Sequence, residues 1–302
     1  MKKTKWQVLW HQIKANRIFY LMMLPFLIFF VTFAVYPVLK AIFYSFTDYN
    51  ILEKPDFIGL KNYAQLILHD QIFIKAVQNT FIIALFVGPF GYILSFLVAW
   101  LINELPHMLG TIVTIIFYTP SMAGGAMVIF QLLFANDSNG YVNGWLLKYG
   151  FIDSPIYWLS DSKTILPLVI IISVWMSLGV GFLSFVAGIK NVQEDQYEAA
   201  AIDGIKNRWQ ELWFITLPNM KPQLLFGAVM SITGSFSVGG VADALVGFPS
   251  PSYASHTIVN HLNDYGLIRL EMGRASAIAV ILFFIMIVSN LLVQKLLRKV
   301  GT

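Results

Sequence analysis

The chain has 302 residues, of which 57% are hydrophobic and only 12% charged, about half the charged share of an average soluble domain. The apolar residues gather in long runs, which excludes a soluble single-core domain and makes lipid the solvent. The net charge of +4 comes from bases flanking those runs rather than forming a stripe, which argues against nucleic-acid binding, and the lack of cysteine excludes disulfides, thiolate chemistry and cysteine-ligated zinc.

Lys2, Lys3, Lys5, Lys14 and Arg17 precede the first apolar run, 18–39. As a helix this run reaches about 33 Å, enough to cross a bilayer core. It is too long for a signal-peptide core, and no small-residue cleavage site follows, so it reads as a retained first span. Five further runs follow at 79–102, 111–134, 164–189, 223–245 and 273–294. Lipid cannot hydrogen-bond backbone groups, so runs of this length must be helical. Ten-residue segments of alternating polarity, the mark of a membrane β-barrel, are absent. The expected fold is therefore an all-α membrane protein with six transmembrane helices, and 1–302 is one transmembrane domain without a soluble module.

Placing the N-terminus in the cytoplasm collects its bases with Lys190, Lys206, Arg208, Lys221, Lys295, Arg298 and Lys299 on one side. That Lys/Arg excess favours both termini inside. The segment 103–110 adds no base to it. Three long loops, 40–78, 135–163 and 246–272, then lie outside and carry Asn, Asp, Gly and Pro punctuation.

The inside loop 190–222 differs from them. Asp195 followed by Glu198 predicts a capping box with Asp195 as N-cap. Ala199, Ala200 and Ala201 are strong helix formers, and Gly204 suits a left-handed residue just past the helix end. A second helix is predicted from Asn207 with Gln210 at its third position. Trp209, Leu212, Trp213 and Phe214 give it an apolar side, and Pro218 and Pro222 break the path into the fifth span. The residues alone leave two readings open: a docking surface for another protein, or an amphipathic hairpin lying on the membrane.

Glu198-Ala199-Ala200, then Asp203-Gly204, then Ile215, Leu217 and Pro218 resemble the EAA loop of bacterial binding-protein-dependent ABC importer permeases. Tyr36-Pro37, Ser45 to Tyr49, Phe57 to Tyr63, Asn79-Thr80 and Gly273 to Ala277 are similar to segments of sugar-type members of the maltose and glycerol-phosphate transporter kind. Two regions depart from the family pattern: Gly247-Phe248-Pro249-Ser250-Pro251 stands where a Gly-Gly-Pro motif is common, and 103–110 lacks the usual bases.

The resemblance implies a permease in a bacterial inner membrane, pairing with a second, homologous permease and two ATP-binding subunits. Those subunits would hold ATP and Mg, and an extracytoplasmic solute-binding protein would deliver a sugar or oligosaccharide. Glu198, Ala199, Ala200, Asp203, Gly204, Leu217 and Pro218 would form the ATPase-coupling loop. Candidates for the substrate path are Trp175, Ser235, Ser237 and Asp243, although core packing for Trp175 and an interfacial position for Asp243 are the commoner meanings of such residues. Alternatives are the same importer for glycerol phosphate or an anionic saccharide, and, in another class, an ATPase-independent carrier or membrane scaffold.

No phosphate-cradling G-x-x-x-x-G-K-[ST] motif, H-E-x-x-H pattern or hydrolase elbow occurs. This points to a non-catalytic chain that depends on a partner for ATP hydrolysis. The histidines, His11, His69, His107, His256 and His261, read as solvated loop residues.

Overall fold

The computed structural model describes residues 12, 14–122 and 125–297. Lys2, Lys3, Lys5, His11, Arg298 and Lys299 lie outside the described residues. Helix α1 spans Arg17–Tyr44, with a widened π turn at Val31–Val35. It carries no buried residue, which is tolerable only for a helix whose surroundings are lipid or another chain. Its C-terminal end leans on the last helix.

A short helix α2 (Lys61–Leu68) precedes α3 (Gln71–Asn103), the longest in the fold. The second span thus starts eight residues before its apolar run, because Asp70 caps it by accepting from the Phe73 N–H at 2.9 Å. The third span divides into α4 (His107–Met122) and α5 (Ala126–Leu133). Helix α6 (Tyr141–Lys148) lies in the following loop.

The fourth span is also two helices, α7 (Ser162–Met176) and α8 (Val180–Lys190), separated at Ser177–Gly179. The 190–222 loop then forms α9 (Glu194–Ile202) and a second helix, α10, over 208–219. The fifth span comprises α11 (Lys221–Phe236) and α12 (Gly239–Val246), bent by 46°. Helix α13 (Ile258–Asn263) sits in the last loop, and α14 (Met272–Leu297) is the sixth span. Among the described residues there is no strand, only an isolated bridge between Thr47 and Phe57. The described residues hold four helices long and apolar enough to cross a membrane, and the number reaches the predicted six when each of the pairs α4–α5 and α11–α12 counts as one span.

Helix α3 runs through all three apolar cores. Near its start, Phe73 packs with Leu66, Ile258, Tyr265 and Ile278. Ile83 and Val87 meet Ile165, Val169, Ala242 and Leu245. Towards its end, Phe96, Ala99 and Ile102 meet Phe182, Phe185, Ile189 and Met220. Lipid tails are as apolar as these side chains, so close packing rather than water exclusion selects the arrangement. Gly91 and Gly227 show how close: a Cβ at Gly91 would overlap Ser177, and one at Gly227 would enter the Phe185 ring.

Candidate substrate path and coupling surface

The helix breaks converge on one cavity of about 330 Å³. Ser121 and Met122 end α4, Ser177 and Gly179 form the break in α7–α8, and Ser237 and Val238 form the bend in α11–α12; all line it. Backbone that leaves helical geometry at membrane depth is tolerated where it is buried in protein or borders a cavity. Tyr92 and Ser95 of α3 complete the wall, with Tyr118, Ser173, Ser231 and Ser235. Among the described residues no charged side chain lines it.

The hydroxyls there are mostly committed as donors to helix carbonyls. Ser121 donates to Tyr118 O at 2.7 Å, Ser177 to Val174 O at 2.6 Å, Ser231 to Gly88 O at 2.7 Å, Ser235 to Ile232 O at 2.8 Å and Ser237 to Thr233 O at 2.9 Å. Their lone pairs remain free to accept. Ser173 is 4% exposed, and its buried Oγ has no partner. An unpaired buried hydroxyl beside a cavity is costly in the empty protein and is relieved by a polar ligand.

Of the predicted path residues, Ser235 and Ser237 line the cavity. Trp175 packs on Phe117 at 5.8 Å between centroids, and neither it nor Asp243 reaches the lining.

The 190–222 loop forms the predicted pair of helices. Gly204 follows α9 in the left-handed region, φ 96°. Asn207 caps α10 by accepting from the Gln210 N–H at 2.9 Å. The predicted capping box is absent. The N-cap of α9 is Gln193 without a side-chain cap, and Asp195 lies inside the first turn. There Glu194 and Asp195 oppose the positive end of the helix dipole instead of capping it. The two helices are pinned by Tyr197 Oη to Thr216 Oγ1 at 2.9 Å and by Asn219 Nδ2 donating to Gln196 Oε1 at 2.6 Å. Glu198, Ala199, Asp203 and Gly204 are exposed, Leu217 and Pro218 half-buried, and Ala200 buried inward at 8%. Ile202 is 88% exposed beside them.

At the other end of the bundle a polar cluster escaped the sequence reading. His256 and His261 are buried, not solvated. His261 Nε2 donates to Asp70 Oδ2 at 3.0 Å, and Tyr265 Oη donates to the same oxygen at 3.0 Å. His261 Nδ1 then accepts from His256 Nε2, at 3.2 Å. Burial raises the Asp70 pKa, but the hydrogen bonds from His261 and the Phe73 N–H outweigh it and hold the carboxyl well below its usual range. Burial pushes the His256 pKa down to about 4, helped by the neighbouring His261 ring. Arg269 pairs with Asp264 at 2.6 Å and Arg274 with Glu271 at 2.8 Å. Among the described residues no group of three or more His, Asp and Glu is arranged to hold a metal ion.

Apolar helices broken or bent around a hydroxyl-rich cavity, with a helical loop at one end, are the architecture of a multi-pass membrane protein. Residues 91–302 match the family model for the binding-protein-dependent transport system inner membrane component, and the chain belongs to that family. It is a permease of the ABC transporter class and lies in the inner membrane. It is 31% identical to the arabinooligosaccharides transport system permease protein AraP of Bacillus subtilis (strain 168), over 98% of this chain and 92% of that one. It is 34% identical to the probable ABC transporter permease protein YesP of the same organism, over 74% and 71%. Among solved structures it resembles a chain of a bacterial alginate ABC transporter in complex with an alginate pentasaccharide-bound periplasmic protein, with TM-score 0.79 and 26% identity over 97% of this chain and 98% of that one.

Proposed function

We propose that this permease conducts a neutral sugar or oligosaccharide through the serine-lined cavity, with both termini in the cytoplasm and α9 as the contact with an ATP-binding subunit. A second permease, two ATPases holding ATP and Mg, and an extracytoplasmic binding protein complete the importer. The observation that carries the substrate class is the cavity wall: seven serines, acceptor lone pairs, the unpaired Ser173 Oγ and no charge. Such a wall suits hydroxyls and leaves a phosphate or uronate without a counter-charge. Arabinooligosaccharide transport by the relative AraP points the same way.

The coupling role is supported by the exposed Glu198, Ala199, Asp203 and Gly204 with the bare Ile202 side chain. Glu198, Ala200, Leu217 and Pro218 keep the EAA spacing. A ligand or partner shifts a conformational equilibrium only by binding its states differently, so closure of the ATPases must act through a surface like this one.

An anionic saccharide is the second reading, favoured by the alginate importer's structural likeness and by Arg269 in the last loop and Arg274 at the start of α14. Both arginines are already paired with carboxylates, which weakens it. The test is uptake by the complete importer in vesicles. Neutral oligosaccharide is expected to enter, while uronate oligomers and glycerol phosphate stay out; the reverse pattern overturns the substrate assignment. Glu198→Arg and Gly204→Pro are expected to abolish substrate-stimulated ATPase activity and uptake together. Normal values for both variants would remove the coupling assignment.

A further inference from the structure

The coupling loop continues directly into α8 and α11, so the chain itself carries its displacement to the fourth and fifth spans. It has no chain connection to α3 and α4. Yet that hairpin supplies Tyr92, Ser95, Tyr118 and Ser121 to the cavity wall. A switch of the whole cavity needs a second link.

Two contacts form one. Arg208, the first residue of α10, places Nη2 3.2 Å from Glu104 Oε2, at the turn between α3 and α4. Its Nη1 lies 2.7 Å from Glu211 Oε2 on its own helix. Glu211 thus fixes one arm of the planar guanidinium, and the other arm is aimed at Glu104. One residue further, the Trp209 ring packs on Trp100 of α3, centroids 5.0 Å apart. Both contacts sit on the rim of a polar groove lined by Glu104, His107, Lys190 and Glu198, and Leu212 continues them into the core that holds Ile102.

We infer that Arg208 and Glu104, with Trp209 on Trp100, are positioning residues that carry the displacement of the coupling loop to the α3–α4 hairpin. The inference rests on the coupling role proposed above. The ion pair is exposed, 64% and 38% for its two side chains, so it adds little to stability. Its role is registry: it sets which part of the hairpin follows the loop.

The test uses the complete importer, with its ATPases and binding protein, in vesicles, and reads substrate taken up per ATP hydrolysed. Glu104→Arg sets two guanidiniums against each other and is expected to lower that ratio roughly two- to fivefold with ATP hydrolysis retained. Combining it with Arg208→Glu restores the pair in reverse and is expected to recover the ratio, which ties the loss to the pair rather than to either residue alone. The chain has no cysteine, so Glu104→Cys with Arg208→Cys can be bridged by a short bis-maleimide without side reactions in this subunit. Transport is expected to continue with the bridge in place, because the two sites move together.

An unchanged ratio in Glu104→Arg, a reversed pair no better than the single variant, or arrest of transport by the bridge would each overturn the inference. If Glu104→Arg does not assemble, the bridged pair decides. Glu198→Arg and Gly204→Pro separate the two levels. If they leave transport intact, the coupling role itself fails; if they abolish it while the Arg208 and Glu104 variants behave as wild type, only the link fails.

Discussion

Where α3 begins, it meets the 246–272 loop through buried, directional bonds. Asn79 Nδ2 donates to His256 O at 2.9 Å, the Ile258 N–H donates to Thr80 Oγ1 at 2.9 Å, and Asp70 gathers His261 and Tyr265. Nearby, Asn62 donates to Ser45 O at 2.9 Å and Thr47 O at 2.8 Å. Where α3 ends, its directional contacts with the 190–222 loop are an exposed ion pair and Trp209, which is 65% exposed, beside the apolar packing of Leu212 and Met220 on Ile102. Buried hydrogen bonds cost their full desolvation when broken, whereas exposed pairs break and re-form at little cost. The first end is built to stay together, and under the coupling role proposed above the second is the end that moves. A motor that pulls on the 190–222 loop acts on the end whose contacts tolerate it.

The largest expected effect is at the rigid end. Asp70→Ala removes the cap of α3 and leaves the His261 Nε2–H and the Tyr265 hydroxyl without an acceptor. The cost is about 3–4 kcal/mol, read as a lowered melting temperature of the detergent-solubilised permease. Glu104→Ala at the other end should cost less than about 1 kcal/mol. Equal losses would erase the contrast between the ends.

A pH dependence sharpens the same contrast. His256 is 2% exposed and its pKa in the folded protein is about 4, against about 6.5 unfolded. The unfolded chain therefore binds a proton that the folded one refuses. Stability should fall as pH drops from about 6.5 to about 4, by up to about 3 kcal/mol, and this contribution levels off below that. The carboxylate of Asp70, whose folded pKa is depressed, adds a further loss only as pH falls below about 4. The titratable and charged groups around His256 are His261, Asp70, Asp264 and Arg269. Melting curves of wild type and His256→Gln across this range separate the two steps. A wild-type slope that persists in the variant would assign the first step elsewhere.

The sequence made some of this legible and hid the rest for identifiable reasons. Span positions followed from apolar runs, because lipid leaves the backbone no alternative to helix. Gly204 and Asn207 were readable because left-handed turns and N-caps depend on residues a few positions apart. The capping box at Asp195 failed on the same local logic: the N-cap is Gln193, two residues earlier, and α9 starts at Glu194, where a run of acids offers several starts. His256 and His261 were misread because their partner Asp70 lies 191 positions from His261, a separation no periodicity signals. The one available hint was that Asp70 stands two residues before an apolar periodic stretch, where a helix cap is expected. The cavity needed the breaks at Ser177–Gly179 and Ser237 to be brought together, and Trp175, attractive for its ring, falls on another side of the same helix.

The smallest expected effect on stability belongs to Ser173, and its value lies in separating packing from recognition. Its buried Oγ has no partner, so Ser173→Ala removes an unsatisfied group and should change the melting temperature by no more than about 0.5 kcal/mol equivalent, in the stabilising direction. If the hydroxyl is kept for the passing solute, the same variant should raise the KM for uptake by roughly fivefold, the equivalent of about 1 kcal/mol for one neutral hydrogen bond. Ser237→Ala should do less, because that hydroxyl already donates to Thr233 O at 2.9 Å. An unchanged KM in Ser173→Ala would mean that the middle of the bundle, unlike its two ends, tolerates an idle polar group, and the serine wall would then be a means of packing helices closely.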